Sequence, residues 1–441
     1  MPKPALKLTA FLCALILILA VLPCAAQEPV VDSPYAMLLD MKTGTVLYEK
    51  NADTLIYPAS TTKIMTALLA LENLDMDKEC TASNSAVNAL PAGHTNMGIL
   101  PGETLTVRQL LYGLMLASAG DAANVLAEEV SATMSDFVNL MNQKAALLGM
   151  SSTNFVNANG AHDEKHYTTV RDMARLTLQC MRIPEFREIV KTDLYVVPPT
   201  EQYVQERRLI NTNHLVSRLK TGQYYYDGAT GIKTGFTNQA KMCLVASAER
   251  NALELLSLVY GASTVDGNVM NFMDARALFD YGFTNYAMAR VVGRGTTVAQ
   301  APVRSAKDTT TILLEAETDV LYLTRIGEEM GEVTHTDNIL QTLKAPILKG
   351  DVCGTSEYFV GSVSVGLVNL VADKDYLFDP VAHILQAMGR FFTSPFFIIP
   401  LIIIVACLVF LRQYHYAKRR RRREEMRRRR AQQERDIQIK F

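Results

Sequence analysis

Two short apolar runs bounded by polar residues mark the first folded elements of this 441-residue chain. They lie within Tyr35–Asp40 and Lys42–Glu49, on either side of Gly44, a pattern typical of the two strands of a hairpin. The next apolar run, Ile64–Ala70, does not alternate and follows Pro58, a residue that favours the first turn of a helix. The pattern therefore predicts a hairpin followed by a buried helix that begins near Ser60.

Helical spacing of apolar residues continues from about Leu105 to Leu148. Strand-like segments return at four places after it, around Val196, Lys233, Leu244 and Leu255. Strands that flank a mostly helical middle predict an α+β domain, in which an antiparallel sheet is flanked by helices and carries a helical insert. We assign residues 27–289 to this domain.

After about Arg290 the pattern changes to short alternating segments separated by Gly, Asp and Lys. The clearest of them are Thr297–Ala299, Thr310–Leu314, Val320–Leu323 and Ser362–Val368. They predict a small all-β domain that covers residues 290–379. Residues 380–392 then place apolar side chains at helical spacing, which is typical of a segment lying on a membrane surface.

The N-terminal segment has the features of a secretory signal. Met1–Ala26 combines two lysines, an apolar run and small residues at its end, so residues 1–26 are predicted to be a signal peptide. A lipoprotein signal with Cys24 as the lipidated residue is the alternative, and Pro23 directly before that cysteine disfavours it.

The C-terminal region carries a second membrane signal. Phe391–Leu411 contains no charged residue and is long enough to cross a bilayer, which predicts a transmembrane helix at residues 393–411. Residues 412–441 follow with 13 Lys and Arg against four Asp and Glu. Basic residues beside a span mark the cytoplasmic side. We therefore expect one pass through the cell membrane, with the C-terminus inside and the bulk of the chain outside.

Charge is divided unevenly along the chain. The formal net charge is −1, but the basic tail and the signal peptide together leave residues 27–411 with a net charge of −12. An acidic outer portion has no electrostatic basis for binding nucleic acid. The arginines of the tail are instead expected to fix topology and to contact anionic lipid.

Four cysteines lie between the two membrane signals, at positions 80, 180, 243 and 353. They are far apart in sequence and form no Cys-x-x-Cys pair, so they do not indicate a zinc site. We interpret them as buried thiols, and a disulfide remains the alternative in an oxidising compartment.

The candidate chemistry begins at Ser60 and Lys63. Three residues apart at the start of a helix, their side chains share one face. A serine hydroxyl needs a base to become a nucleophile, and burial lowers the pKa of a lysine toward the unprotonated form that can act as one. A Ser-x-x-Lys sequence alone is expected about once by chance in a chain of this length, so partners are required.

Two later segments supply such partners. Leu116–Ala123 is a small-residue turn between two apolar helical runs, and its Ser118 offers a second hydroxyl that can relay a proton. Ile232 begins a strand that continues as Lys-Thr-Gly, a cation and a hydroxyl side by side. Gly235 in that strand lets a substrate backbone approach closely, as an added strand at the sheet edge.

This order of motifs resembles that of the penicillin-recognising serine enzymes. Residues 33–378 as a whole are similar to one branch, the low-molecular-mass penicillin-binding proteins that act as D-alanyl-D-alanine carboxypeptidases. Four further segments carry the resemblance: Phe155–His162, His166–Thr169, Asn211–Leu215 and, in the all-β domain, Ala345–Val352.

The resemblance implies a serine peptidase that removes the terminal D-alanine from peptidoglycan stem pentapeptides and reacts with β-lactam antibiotics. It implies Ser60 as the acylated nucleophile, Lys63 as its base and Ser118 as the proton relay. It implies neither a metal nor a cofactor.

The resemblance also assigns the substrate-binding side. Lys233 and Thr234 would hold the terminal carboxylate of a peptide ending in D-Ala-D-Ala. The backbone N–H groups of Ser60 and Phe236 would form the oxyanion hole, next to Gly235.

Two positions depart from the family pattern. The second motif is usually Ser-x-Asn, and Gly120 here has no side chain to donate to Lys63 or to the substrate; Asn124 lies one helical turn further on. If the backbone at position 120 accepts a side chain, Gly120→Asn is expected to raise kcat/KM. Many relatives also grip the carboxylate with an arginine after the Lys-Thr-Gly strand, where this chain leaves Lys241 or Arg276 as candidates.

Three alternatives compete with the carboxypeptidase interpretation. A β-lactamase needs a water-activating glutamate after the second motif, whereas residues 155–172 resemble the carboxypeptidase branch. A metallohydrolase would need His-Glu-x-x-His, and His162 and His166 lack that arrangement. A non-catalytic β-lactam-binding or wall-binding protein on the same fold is the third alternative, suggested by Gly120. The sequence also leaves open the balance between hydrolysis and transpeptidation.

Overall fold

The computed structural model describes residues 28–91 and 93–438, so the predicted signal peptide lies outside the described residues. The helices are α1 Lys63–Asn73, α2 Asn84–Asn88, α3 Val107–Leu116, α4 Gly120–Val130, α5 Met134–Leu147, α6 Val170–Cys180, α7 Pro184–Lys191, α8 Met270–Asn285, α9 Pro380–Thr393 and α10 Pro395–Gln438. The first strands are β1 Tyr35–Asp40, β2 Val46–Lys50, β3 Glu79–Thr81, β4 Thr104–Thr106, β5 Leu194–Val197, β6 Arg207–Ile210, β7 Ala229–Thr237, β8 Lys241–Arg250, β9 Leu253–Ala262, β10 Thr264–Val265 and β11 Asn268–Val269. The remaining strands are β12 Tyr286–Val292, β13 Thr297–Arg304, β14 Thr311–Ala316, β15 Val320–Arg325, β16 Val333–Ile339, β17 Leu343–Lys344, β18 Val352–Val360 and β19 Val363–Ala372.

The described chain divides into two compact units. One comprises the residues up to Ala289 together with Leu323–Glu328, and the other comprises Arg290–Tyr322 with the residues from Glu329 onward. The predicted hairpin is present in the first unit as β1 paired with β2. It forms part of a five-stranded antiparallel sheet in the order β2-β1-β9-β8-β7.

Alternation along the central strand β9 separates two hydrophobic cores. Leu256, Leu258 and Tyr260 point to the core that the helical insert shares with the sheet. Leu255 and Val259 point to the opposite face, which α8 covers. Because side chains of a strand alternate between faces, one sheet serves both layers. The strand β7 lies at an open edge of this sheet.

The helical insert contributes two helices that position the candidate site. Helix α1 is buried from Lys63 to Ala70, as its continuous apolar run predicts. Helix α3 begins with a capping box between Thr106 and Gln109, which satisfies donors at its first turn. It ends at Leu116, and α4 starts at Gly120, so a tight turn carrying Ser118 separates them.

The second unit contains a six-stranded sheet in the order β16-β18-β19-β14-β13-β17. Its pairs are antiparallel except for β13 with β17, which is parallel. A small core of alternating apolar residues from these strands fills one side, including Ile312, Leu314 and Leu370. The all-β prediction for this part of the chain is confirmed.

The same unit ends in the helices α9 and α10. Among the described residues, one helix is long and apolar enough to cross a membrane, judged by the length and composition of Pro395–Arg435. The α+β class, the antiparallel sheet with its helical insert and the single long apolar helix agree with the sequence prediction. Cys80, Cys180, Cys243 and Cys353 are buried free thiols.

Candidate active site

The nucleophile candidate lies in a turn that is tighter than the predicted helix start. Ala59–Thr62 forms a 3₁₀ turn, and the α-helix begins only at Lys63. Side chains three residues apart superpose in a 3₁₀ turn. Lys63 Nζ therefore donates a hydrogen bond to Ser60 Oγ at 3.0 Å. Ala59, just before the nucleophile, has a φ of 49°, a sparsely populated backbone region that is typical of functional sites.

Lys63 is buried, with 2% of its surface exposed. Burial lowers its pKa from 10.5 to about 7, and the carboxylate of Asp121 acts in the opposite direction. Its Nζ also donates to the backbone carbonyl oxygen of Asn159 at 2.5 Å. The amine is thus aimed at Ser60 and is available in the unprotonated form near neutral pH.

The loop that contains Asn159 and Gly160 holds Lys63 in place. Asn159 donates through Nδ2 to Asn124 Oδ1 at 3.1 Å, and Asn124 Nδ2 donates to the Ala86 carbonyl oxygen at 2.9 Å. Gly160 follows with a φ of 81°, and a Cβ built on it would lie 2.0 Å from the Ala59 carbonyl oxygen. Only glycine fits this contact, because the loop backbone packs directly against the nucleophile turn.

The second serine sits in the turn between α3 and α4. Ser118 is 7% exposed and has a φ of 60°, again in the left-handed region. The turn is fixed to the loop at residues 93–99, since Gly120 N–H donates to the Thr95 carbonyl oxygen at 2.8 Å. The buried carboxylate of Asp121 accepts the backbone N–H of Met97 and that of Ile99, the latter at 3.0 Å.

Gly120 has little room for the side chain that the family pattern places there. A Cβ at Gly120 would lie 2.5 Å from Leu90 Cδ1 and 3.2 Å from the Thr95 carbonyl oxygen. Its φ is not in the left-handed region, so space rather than backbone conformation limits substitution. Asn124 does not take the place of the missing amide, because its side chain is engaged with Asn159 and Ala86.

The Lys-Thr-Gly strand β7 lies beside the nucleophile turn. A Cβ at Gly235 would lie 3.2 Å from Ser60 N, so this glycine permits the close approach of strand and turn. Thr234 Oγ1 and Thr212 Oγ1 are hydrogen-bonded at 2.7 Å. Phe236 is 54% exposed at the open edge of the sheet.

Lys233 is fully buried, in contrast to its neighbour Thr234. Its Nζ donates to the Thr234 carbonyl oxygen at 3.1 Å. Burial lowers its pKa well below the ordinary value, and Lys63 and Lys220 add repulsion in the same direction.

A cavity of about 640 Å³ brings most of the predicted site together. Its lining includes Ser60, Lys63, Ser118, Thr234, Gly235 and Phe236. Lys233 is not part of the lining. The structure therefore collects the predicted nucleophile, base, relay serine and three of the four predicted substrate-binding residues around one space.

Sequence reasoning missed several residues of this lining. Thr212, His94 and His214 all face the cavity. Residues 211–215 carry only the family resemblance in the sequence, and no sequence signal marks His94. His162, a residue that the motif comparison did single out, also faces the cavity and packs edge-on against Tyr57.

The two histidines compared with a zinc motif lie in different surroundings. His162 is in the cavity lining. His166 is buried and contacts Thr62 Oγ1 through Nε2 at 2.8 Å, and burial lowers its pKa to about 4. His166 thus packs against the nucleophile turn and is not part of the cavity lining.

A serine hydroxyl 3.0 Å from the amine of a buried lysine, with a second serine and a Lys-Thr-Gly strand around the same cavity, is the arrangement expected of a serine acyl-transferring enzyme with a lysine base. The family model described as D-alanyl-D-alanine carboxypeptidase matches residues 23–264, so the chain belongs to the D-alanyl-D-alanine carboxypeptidase family. A second model, described as penicillin-binding protein 5, C-terminal domain, matches residues 286–376. The resemblance inferred from the motifs is confirmed.

Individual relatives agree with this membership. The chain is 33% identical to D-alanyl-D-alanine carboxypeptidase DacF of Bacillus subtilis over 331 residues, 74% of this chain and 80% of the relative. A crystal structure of penicillin-binding protein 5 from Haemophilus influenzae matches with a TM-score of 0.57 at 26% identity, covering 80% of this chain and 99% of the other. The Streptomyces K15 DD-transpeptidase structure matches with a TM-score of 0.53 at 33% identity, covering 58% and 99%. These similarities favour an active serine carboxypeptidase over the non-catalytic and β-lactamase alternatives.

Proposed function

We propose that this enzyme removes the terminal D-alanine from peptidoglycan stem pentapeptides through an acyl-enzyme on Ser60. The observation that carries the proposal is the 3.0 Å hydrogen bond from the buried Lys63 amine to the Ser60 hydroxyl. Because the pKa of Lys63 is lowered to about 7, the amine can accept the hydroxyl proton at neutral pH.

The first step forms an ester and releases D-alanine. Ser60 Oγ attacks the carbonyl carbon of the penultimate D-alanine while its proton passes to Lys63. The new C–O bond forms, the peptide C–N bond breaks, and the proton reaches the leaving amine by way of Ser118. The backbone N–H groups of Ser60 and Phe236 would stabilise the negative charge on the carbonyl oxygen.

The second step consumes the ester. Water attacks the acyl carbon, Lys63 takes a proton from it, and the Ser60 hydroxyl is regenerated with the shortened peptide as a free acid. An amine that enters in place of water would give a transpeptidation product. One similar protein is named a DD-transpeptidase, so both acceptors belong in the assay.

Substrate binding would use the open edge of the sheet. The peptide would lie antiparallel to β7 as an added strand, where Gly235 permits its backbone to approach the nucleophile turn. Thr234, held by Thr212, would donate to the terminal carboxylate. β-Lactams, which present a carboxylate and a reactive amide carbonyl, would acylate Ser60 in the same position.

The activity is tested by incubating the full-length protein, in detergent, with a pentapeptide ending in D-Ala-D-Ala and measuring free D-alanine and the tetrapeptide. We expect release by the wild type and none by Ser60→Ala. Adding an amine such as glycine measures the transfer reaction separately. Release that persists undiminished in Ser60→Ala would refute the proposal.

We further propose that α10 anchors the enzyme in the cell membrane with its catalytic unit outside and its C-terminus in the cytoplasm. The apolar part of this helix and the arginines after it support that orientation. Protease added to wall-stripped cells should remove the catalytic unit and leave a C-terminal tag protected. Cleavage of the tag from outside would reverse the orientation.

A further inference from the structure

The terminal carboxylate of the substrate needs a cation or a strong hydrogen-bond donor as its partner. In this cavity the candidates for that partner are mainly histidines. Among the described residues, its lining contains no arginine, and its titratable cations are Lys63 and three histidines. Lys241 and Arg276 are both absent from the lining, and Arg276 Nη1 instead donates to the Gln223 carbonyl oxygen at 3.2 Å.

We infer that His214 determines specificity for a free carboxylate, taking the place that many relatives give to an arginine. The inference rests on the proposed carboxypeptidase function and names a further residue for it. His214 would donate one ring N–H to the carboxylate oxygen, alongside the hydroxyl of Thr234.

The position of His214 is fixed by packing. Its ring stacks on Phe272 with centroids 5.0 Å apart and an interplanar angle of 9°, and it lies near the ring of Tyr224. In the described part of the chain, Nδ1 is buried without a hydrogen-bond partner. Because Nδ1 is enclosed and the side chain lines the cavity, Nε2 is the nitrogen available to a ligand.

His214 lines the same cavity as the hydroxyl pair assigned to the carboxylate. Thr212, two residues earlier in the chain, lines the same cavity and is bonded to Thr234. Neither Thr212 nor Thr234 carries charge, so without a cationic partner the carboxylate would be held by hydroxyl groups alone. His214 adds a donor that becomes a full cation on protonation.

The surroundings of His214 fix the sign of its pH dependence. Burial and the nearby Lys220 lower its pKa. Lys63, His94 and His162 also face the cavity, and Lys233 is buried outside its lining. A bound carboxylate favours protonated His214, so binding of a free acid takes up a proton and strengthens as the pH falls.

The test compares two substrates that differ only at this end, a peptide ending in D-Ala-D-Ala and the same peptide ending in D-Ala-D-alaninamide. Both require the same nucleophile and base, so the ratio of their kcat/KM values cancels the titration of Lys63. The full-length wild type is compared with His214→Phe, which keeps an aromatic ring against Phe272, and with His214→Arg. Lys241→Gln and Arg276→Gln serve as matched controls for loss of a nearby positive charge.

We expect the acid-to-amide ratio to fall about tenfold or more in His214→Phe, the loss typical of one hydrogen bond to a charged group, with amide turnover retained as proof of folding. In wild type the ratio should rise from pH 8 to pH 5.5, and in His214→Arg it should stay high with a flatter profile. Both controls should keep the wild-type ratio.

A ratio in His214→Phe within twofold of wild type across this pH range would overturn the inference, as would a fall in either control. If His214→Phe loses activity toward both peptides, the His214→Arg variant is used instead. An acid-to-amide ratio in His214→Arg that keeps the wild-type pH dependence would contradict the role of His214. A wild type that releases neither D-alanine from the acid peptide nor D-alaninamide from the amide peptide overturns the proposed function itself, which is a distinct result.

Discussion

The pH dependence of acylation follows from the burial of Lys63. Only its unprotonated amine can accept the Ser60 proton, and the pKa of Lys63 is lowered from 10.5 to about 7. At pH 7 a lysine of ordinary pKa would be unprotonated in about 3 molecules in 10,000, whereas Lys63 is unprotonated in about half of them. Burial therefore supplies about a thousandfold more free base at neutral pH.

The acid limb of kcat/KM should bend near pH 7 and fall about tenfold per pH unit well below it, because kcat/KM reports the free enzyme. The perturbation is Asp121→Asn, which removes the carboxylate that raises the pKa of Lys63. Without that charge the neutral amine is favoured, so the acid limb should move to lower pH. Asp77→Asn, a change at an exposed surface carboxylate, should leave the limb in place.

The assay is the second-order rate constant for acylation by a fluorescent penicillin, measured from pH 5 to pH 9 on the full-length protein. Lys63→Arg keeps a cation but cannot supply a free base in this range, and it should lose acylation throughout. Circular dichroism and thermal melting exclude misfolding of Asp121→Asn, whose side chain also accepts the Met97 and Ile99 backbone donors. An acid limb that stays in place in Asp121→Asn, or a wild-type rate constant that still rises tenfold per pH unit up to pH 9, would refute the reasoning.

Two further predictions concern the support of the site. Gly120→Asn should destabilise the protein by about 1–3 kcal/mol in thermal melts, because its Cβ would lie 3.2 Å from the Thr95 carbonyl oxygen and would displace the Leu90 side chain. It should raise kcat/KM for D-alanine release only when combined with Leu90→Ala. If the single variant gains activity unaided, the assigned obstruction is wrong. Asn124→Ala removes the partner of Asn159 and should slow penicillin acylation about tenfold or more while lowering the melting temperature. A lower melting temperature with an unchanged rate of acylation would show that Asn124 stabilises the fold but does not support Lys63.

Local spacing was enough to predict the centre of the site. Residues three apart share a face in an α-helix and superpose in a 3₁₀ turn, so the pairing of Ser60 with Lys63 does not depend on which of the two forms. The hairpin and the strand β7 were likewise predictable, because short apolar runs and glycine turns are local features of the sequence. Successive side chains of a strand point to opposite faces, which separates Thr234, in the cavity lining, from the fully buried Lys233.

The rest of the site depends on contacts between segments that are distant in sequence. His214 reaches the cavity because its ring stacks on Phe272, 58 positions later. The space beside Gly120 is taken by Leu90, from a loop that only the tertiary fold brings there. The Lys63 amine donates to the backbone carbonyl oxygen of Asn159. Every residue has such a carbonyl, so the pattern of side chains cannot identify this acceptor. Sequence periodicity carries no information on such contacts.

The most direct test of the central claim is the intact mass of the protein after exposure to benzylpenicillin. Wild type should gain the mass of one penicilloyl group, and peptide mapping should place it on Ser60. Ser60→Ala should gain nothing, and Lys63→Ala should gain it far more slowly, because its nucleophile has lost the base 3.0 Å away. An undiminished adduct in Ser60→Ala, or a wild-type rate of labelling in Lys63→Ala, would contradict the assignment of this pair as nucleophile and base.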